Sequence, residues 1–531
     1  MTGILLYNTE IHTLDEQTSI ASAIAIENGR ILAVGESNKL RAEFEGRLEA
    51  EDLHGRTILP GLTDAHIHLQ NYAMSLDMVD CETATRAECL QRVAERANRT
   101  KPGEWIRGHG WNQNAWTDGA PTAEDLDQAA PRNPVYLTHK SLHSAWANHF
   151  ALRSAKLSAS SKDPAGGRLG RDANGSLDGI LYESAMELVE KAITSPKSDQ
   201  VAQALRLAMP KLWQLGLTSA HDFDRQECFR ALQKLHANGE LKLRVLKSIP
   251  LDDLKTASGM GLRSGMGDDM LRIGSVKAFM DGALGPQTAA MLAPYEGSED
   301  NRGILMMDAE ELFERARVAA KAGLSMAVHA IGDRANHEVL NAYAQLRTYE
   351  RQTLRKAPLR HRIEHVQLLH PDDAGRLAEL DVIASMQPIH APSDMHMADR
   401  HWGKRAELSY AWRTQLQHGA HLAFGSDAPV ESPNPFLGLH AAVTRRRADG
   451  TPGEDGWRPE QRLTLLEALH GFTTGAAYAA GMEDKLGRLS PGYLADLIVL
   501  ERDPFEIPAH ELQFLQPERT MVNGEWVFQK N

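Results

Sequence analysis

Cysteine is scarce in this chain of 531 residues: Cys81, Cys89 and Cys228 are the whole set, and no two form a C-x-x-C pair. An odd, sparse set excludes a disulfide framework and a thiolate zinc site, and it points to a reducing compartment with the thiols as buried filling. Long apolar runs are lacking as well. No stretch approaches the roughly 18 apolar residues of a spanning helix, and the N-terminus MTGILLYNTEIHTL has no basic segment leading into an apolar one. The chain therefore reads as cytoplasmic, with no membrane role. Positive charge is in deficit: 58 Lys and Arg against 71 Asp and Glu give a formal charge of −13. That balance argues against a nucleic-acid or anionic-membrane partner and favours a small organic substrate. No glycine-rich phosphate loop is present, and only Arg225, Arg334 and Arg405 stand out as basic residues near strand ends, so no phosphate clamp is expected.

What is present is PGLTDAHIHL, with His66 and His68 two residues apart at the end of an apolar run. In an extended strand, residues i and i+2 share a face, so both imidazoles can reach one divalent metal. The spacing alone is weak in a chain with 23 histidines, but its place after Ile58, Leu59, Leu62 and Ala65 suits a buried parallel strand that ends in ligands.

Residues 1–56 read as short strands, with the turn Asn28-Gly29 inside SAIAIENGRILAVG; residues 488–531 repeat that character around Asn523-Gly524. The two ends are expected to meet in one β-sandwich. Between them, over 57–487, eight short apolar segments alternate with helical ones: 57–68, 217–223, 243–249, 275–281, 325–331, 361–367, 382–388 and 421–429. Eight parallel strands close a (β/α)8 TIM barrel, whose chemistry sits at the strands' C-terminal ends. The gap of about 70–210 after strand one is too long for a simple connection and reads as an α+β insert over the barrel mouth. The other reading of the insert is an enlarged core or a dimer contact.

Polar residues fall where a barrel would use them. His66 and His68 end strand one, Lys277 lies on strand four, His329 on strand five, His365 on strand six and Asp427 on strand eight. On eight parallel strands these six converge on one pocket from some 360 residues of sequence.

In this order, PGLTDAHIH, VKAFMDGALG, AVHAIGD, HRIEH and FGSDAPV resemble the amidohydrolase superfamily of metal-dependent hydrolases, and most closely its family 3, YtcJ-like branch. The insert segments LDQAAPRNPVYLTHKSLHSAWAN and RDANGSLDGILYE and the tail LGRLSPGYLADLIVL extend the resemblance over nearly the whole chain. It implies a distorted barrel beside a β-sandwich of both termini. It also implies that His66 and His68 hold the more buried metal and that His329 and His365 hold a second one or complete a single site. Asp427 would ligate metal and take a proton from the attacking water. One or two divalent ions, with zinc expected, are implied.

A buried lysine loses charge and gains nucleophilicity, so Lys277 could add CO2; the resemblance implies that the resulting carbamate (N6-carboxylysine) bridges two metals. The competing reading is an ordinary amine paired with Asp281 or Asp427 beside one metal. The expected reaction is hydroxide attack on an amide, N-acyl or N-formyl carbon–nitrogen bond of a small substrate with a partly apolar amine portion. Two alternatives stay open: a mononuclear deaminase of a ring amine, and a metal-bound regulatory or binding protein without turnover. Trp111, His109, His143, Gln387 and His390 are candidate pocket residues. His221, with Asp222 beside it, ends strand two as a candidate for the pocket or for orienting a ligand. Glu364 precedes His365 and by strand alternation points the other way, which suggests an ion pair. A homodimer is the default assembly for a soluble barrel.

Overall fold

A computed structural model describes residues 3–113, 116–139, 144–164, 167–193, 196–354 and 359–530. The chain divides into two compact units, Met1–Ala73 with Ser198–Asn531, and Met74–Lys197.

In the larger unit, eight strands lie side by side: β1 (Leu62–Ile67), β2 (Leu217–Asp222), β3 (Arg244–Pro250), β4 (Leu271–Phe279), β5 (Met326–Ala330), β6 (Arg362–His365), β7 (Ile383–Met386) and β8 (Leu422–Phe424). Every adjacent pair from β1 to β8 is parallel. Beyond the last ladder the seam is drawn together by backbone: Asp427 N–H donates to His66 O at 2.7 Å, and His68 N–H to Ala428 O at 2.9 Å. The fold is the expected α/β barrel.

The covering helices follow from sequence. The helix Ala309–Ala322 starts where the Asp308 carboxylate accepts from Glu311 N–H and stops at Gly323, whose φ of 80° few side chains tolerate. Between those caps Leu312, Ala316, Ala319 and Ala320 are buried at helical spacing, so one stripe faces the strands.

Both termini meet in a second eight-stranded sheet, which includes Ile4–His12, Ile20–Glu27, Arg30–Gly35, Thr57–Pro60, Leu497–Leu500, Pro517–Val522 and Glu525–Gln529. Asn28 and Gly29 (φ 53° and 75°) and Asn523 and Gly524 (φ 53° and 75°) make its tight turns as expected. Leu6, Ile24, Ile58, Leu497, Val499 and Met521 pack in its core.

The expected first barrel strand, 57–68, is two strands. Thr57–Pro60 pairs antiparallel with Leu497–Leu500 in the terminal sheet, and Gly61 breaks the run before the barrel begins at Leu62. Gly61 N–H bonds Asp496 O, and a Cβ at Gly61 would lie 2.4 Å from Thr218 Oγ1. An apolar run cannot reveal such a change of sheet, since both halves are buried.

The smaller unit is α+β. The strands Val79–Asp80, Ile106–Trp111 and Val135–His139 are parallel; Ser144–Ala147, Leu177–Glu183 and Gly167–Arg171 continue the sheet antiparallel. It is shorter than the span 70–210, because the helix Ser198–Gln214 packs with the barrel's unit. All three cysteines are free and buried. Among the described residues no helix is long and apolar enough to cross a membrane.

Candidate metal centre

The seam between β1 and the segment after β8 builds the centre. Asp64 is buried and accepts Ser426 N–H at 3.0 Å, Ser426 Oγ–H at 2.5 Å and His66 N–H at 3.1 Å, so one carboxylate holds both edges. Burial raises its pKa to about 7. Gly425 lets the chains approach, since a Cβ there would lie 2.4 Å from His66 N. Asp427, with a left-handed φ of 61°, then aims its carboxylate at β1. Its Oδ1 lies 3.5 Å from His66 Nε2 and 3.4 Å from His68 Nε2. Ligand atoms of these three residues lie within 4.8 Å of one another.

The other ring nitrogen of each histidine is already engaged. His66 Nδ1–H donates to Glu364 Oε2 at 2.6 Å and His68 Nδ1–H to Asp224 Oδ1 at 3.2 Å. His365 Nδ1–H donates to Gln387 Oε1 at 2.8 Å, and His329 Nε2–H to Gly282 O at 2.9 Å. In its neutral form each ring therefore keeps one lone pair free. His365 stands 4.9 Å from His66 and 4.5 Å from His329 between ring centroids. Burial and the Lys277 charge push His66 down to about 4 and His329 to about 3; burial and the neighbouring imidazoles hold His365 well below its ordinary value. Neutral imidazole is the metal-binding form.

His68 moves the other way. Burial lowers it, but the carboxylates of Asp224 and Asp427 outweigh that and bring it to about 9. Burial raises Asp427, while the imidazoles facing it hold it well below the carboxylate range. Protonated, His68 donates toward Asp427; neutral, it turns a lone pair beside that of His66 toward the anionic oxygen, a repulsion that a cation among them relieves. The donor set and its hydrogen-bonded backing thus fit a divalent metal.

Lys277 is buried on β4, and burial brings its amine down to about 8. Its Nζ lies 4.7 Å from the centroid of Phe223 and 4.9 Å from that of Phe279. Asp281 is not its counter-ion: that carboxylate accepts backbone N–H groups of Ala290, Ile331 and Gly332 at 2.8, 3.0 and 2.8 Å. Beside Lys277 and His68 opens a cavity of about 420 Å³, lined by the apolar Phe223, Leu251, Phe279, Met306 and Met307 and by the polar Gln70, Asn71, Asp224, Arg225 and Asp252.

The candidate pocket residues fare differently. Trp111 is buried in the smaller unit's own core, its Nε1–H bonded to Leu137 O and its ring against Trp116 and Trp146, so it presents no face to a substrate. His221 is buried and accepts from Arg362 Nη1–H at 3.0 Å, inside the barrel rather than on the cavity wall. Gln387 orients His365. His143 lies outside the described residues. Alternation misplaced Glu364: it is wholly buried inside the barrel, bonded to His66 and to Arg362 Nη2–H at 3.0 Å. The rule failed because His365 itself leaves strand geometry, with φ 75°, and turns inward too. Asp64, Asp224 and Gly425 were missed; the T-D-A-H-I-H and F-G-S-D strings carried Asp64 and Gly425 unremarked, and Asp224 lies just past the end of strand two.

Comparison with known proteins decides the family, for residues 49–528 match the sequence profile of the amidohydrolase family. The chain belongs to the amidohydrolase family. This amidohydrolase is 31% identical to the putative amidohydrolase YtcJ of Bacillus subtilis, over 98% of each chain. It is 29% identical to the N-substituted formamide deformylase of Arthrobacter pascens, over 99% of this chain and 98% of that one. An uncharacterized metal-dependent hydrolase of Pyrococcus furiosus shares the fold with a TM-score of 0.80 and 31% identity, covering 95% of this chain and 100% of that one. The protein is a metal-dependent hydrolase acting on carbon–nitrogen bonds.

Proposed function

We propose that this amidohydrolase cleaves the amide bond of a small N-acyl or N-formyl amine whose amine portion is apolar. The observation that carries the reading is the facing of His66, His68 and Asp427 beside a cavity with an aromatic and methionine wall. The formamide deformylase relative supports the same bond type.

His66, His68 and Asp427, with His329 and His365, would hold the metal, and zinc suits this nitrogen and oxygen donor set. When bound, such an ion supplies Lewis acidity and lowers the pKa of water toward about 7. Asp427 is charged and can take the proton of the attacking water, then return it to the amine nitrogen as the carbon–nitrogen bond breaks and the carbon–oxygen bond forms. The products are a carboxylic acid and an amine. Phe223 and Phe279 give the apolar portion a surface and exclude water from the amine of Lys277. An amine brought from 10.5 to about 8 is still mostly protonated at physiological pH, but its neutral, nucleophilic fraction is far larger than that of an ordinary lysine, which supports its carboxylation and a binuclear site.

The test is release of amine from a panel of N-formyl and N-acyl amides, run beside ring amines, for the wild type and Asp427→Asn. Amide hydrolysis that falls by about 10²-fold or more in the variant is expected. Turnover confined to ring amines with ammonia release would overturn the reading. Metal analysis with intact mass, showing about two ions and one added CO2 on Lys277, is the expected companion result.

A further inference from the structure

A second lysine, Lys247, is buried on β3, and the chemistry proposed above gives it no task. Burial pushes its amine down, but the carboxylate of Asp222 outweighs that and holds it above its ordinary value, so it stays charged. Asp222 is its register partner on the neighbouring strand β2. Lys247 Nζ lies 2.7 Å from Asp222 Oδ2, and Nζ–H also donates to the main-chain oxygen of Asp224. Donor atoms of Asp222, Asp224 and Cys228 come within 4.8 Å of one another, and the ammonium in contact with Asp222 is the cation of that group.

Lys247 thus grips both ends of the tripeptide Asp222-Phe223-Asp224, and every member of it bears on the metal centre. Asp222 Oδ1 accepts Leu69 N–H at 2.9 Å, the residue after His68. The ring of Phe223 stacks on His66 with centroids 4.2 Å apart and lies 4.7 Å from Lys277 Nζ. Asp224 Oδ1 accepts His68 Nδ1–H at 3.2 Å, while its Oδ2 accepts Gln70 N–H and Asn71 N–H at 2.5 and 3.2 Å. The strand β2 ends at Asp222, so Asp224 beyond it is held by the bond from Lys247 and by those its carboxylate accepts.

We propose that Lys247 is a positioning residue of the metal centre: its fixed charge holds Asp224 against His68 and Phe223 against His66, and so sets the orientation of both strand-one histidines. The carboxylate behind a ligating histidine fixes the ring's direction and tautomer, and Lys247 fixes that carboxylate's own place. Buried behind Asp224, it acts through the histidines and not on substrate. The inference rests on the reading of His68 as a metal ligand.

The test measures zinc affinity, by competition with a chelator of known strength, and the visible absorption of the cobalt-substituted protein. Wild type is compared with Lys247→Met, Lys247→Arg, Asp224→Asn and the double variant Lys247→Met with Asp224→Asn, each at a temperature where it is folded. Lys247→Met is expected to weaken zinc about tenfold or more and to alter the cobalt bands. Lys247→Arg, which keeps the charge, is expected to recover part of that loss. Since Lys247 acts through Asp224, the double variant is expected to lose no more than the worse single one; additive losses would overturn the proposal. Asp496→Leu, which unpairs Arg244 at the start of β3, is the control: its melting temperature is expected to fall while affinity and bands stay as in wild type. His68→Ala separates the two readings. Wild-type affinity there would overturn the ligand assignment and this proposal with it, whereas loss of zinc in His68→Ala beside wild-type affinity and bands in Lys247→Met would overturn the proposal alone. Should Lys247→Met not fold, Lys247→Met with Asp222→Asn, which removes both charges of the pair, is read in the same way.

Discussion

Glu364 shows how a residue next to a ligand in sequence serves a different ligand in space. It backs His66, 298 positions earlier, and it also faces Arg362 inside the barrel. A carboxylate that accepts Nδ1–H fixes the ring's tautomer and raises the basicity of the nitrogen turned to the metal. Glu364→Gln keeps the size and an acceptor but removes the charge. Metal affinity is expected to fall about 10- to 100-fold, read by competition with a chelator of known strength. Melting temperature is expected to fall too, because Arg362 loses a buried counter-charge. A lower melting temperature with unchanged affinity would assign Glu364 to the ion pair alone. The residues proposed as ligands, His66, His68, Lys277, His329, His365 and Asp427, could be picked out because strand-end position and residue type suffice to nominate them. Their backing residues could not, since hydrogen bonds across the barrel leave no periodic mark on the chain.

Elements set these residues by close approach and by caps, and each makes its own prediction. Gly425, just after β8, sits where a Cβ would meet His66 N at 2.4 Å and Asp64 Oδ1 at 2.7 Å. Backbone cannot yield there as a flexible side chain would. Gly425→Ala is expected to destabilise the fold by about 1–3 kcal/mol through overpacking and to lower metal content, as the seam opens between Asp427 and His66. Full metal content in a stable variant would show that β8 can shift without moving its ligand. Farther from the site, the helix Leu465–Phe472 starts with a capping box in which Glu467 accepts Thr464 N–H at 2.7 Å, and the same carboxylate takes Arg413 at 2.6 and 2.7 Å. Burial raises the Glu467 pKa, but these bonds outweigh it and bring it from 4.5 to about 2. A folded pKa below the unfolded one stabilises at pH above about 4.5 and is lost as pH falls toward about 2. With the side chain 29% exposed, solvent screening leaves on the order of 1–2 kcal/mol. Glu467→Gln is therefore expected to melt lower than wild type at pH 7, with the difference shrinking through that acid window. A difference constant down to the acid end would mean that packing, not charge, carries the effect.

Across the whole chain, alternation of apolar strands with helices was enough to read the barrel, and two Asn-Gly turns were enough to read a sheet at each end. The join between barrel and terminal sheet was not readable, because it rests on ion pairs between residues hundreds apart and on one glycine. Arg244, at the start of β3, donates Nε–H and Nη2–H to Asp496 at 2.6 and 2.8 Å, and both side chains are 3% exposed. Asp496 also accepts Asn523 N–H at 2.8 Å, and its own carbonyl accepts Gly61 N–H at 2.9 Å. One residue thus ties the barrel's foot to the terminal hairpin and to the break where β1 begins. Removing one partner of a buried pair strands the other charge and costs about 3–5 kcal/mol, whereas replacing both with apolar groups of similar volume costs much less. Asp496→Leu is expected to lower the melting temperature strongly. Arg244→Met with Asp496→Leu is expected to recover most of that loss, leaving a remainder from the unpaired Asn523 N–H. The metal centre lies at the other end of β3, so metal content is expected to stay at the wild-type level wherever the variants fold. Additive losses in the double variant would show that the pair is not coupled, and the join would then rest on the strand pairing of Thr57–Pro60 with Leu497–Leu500.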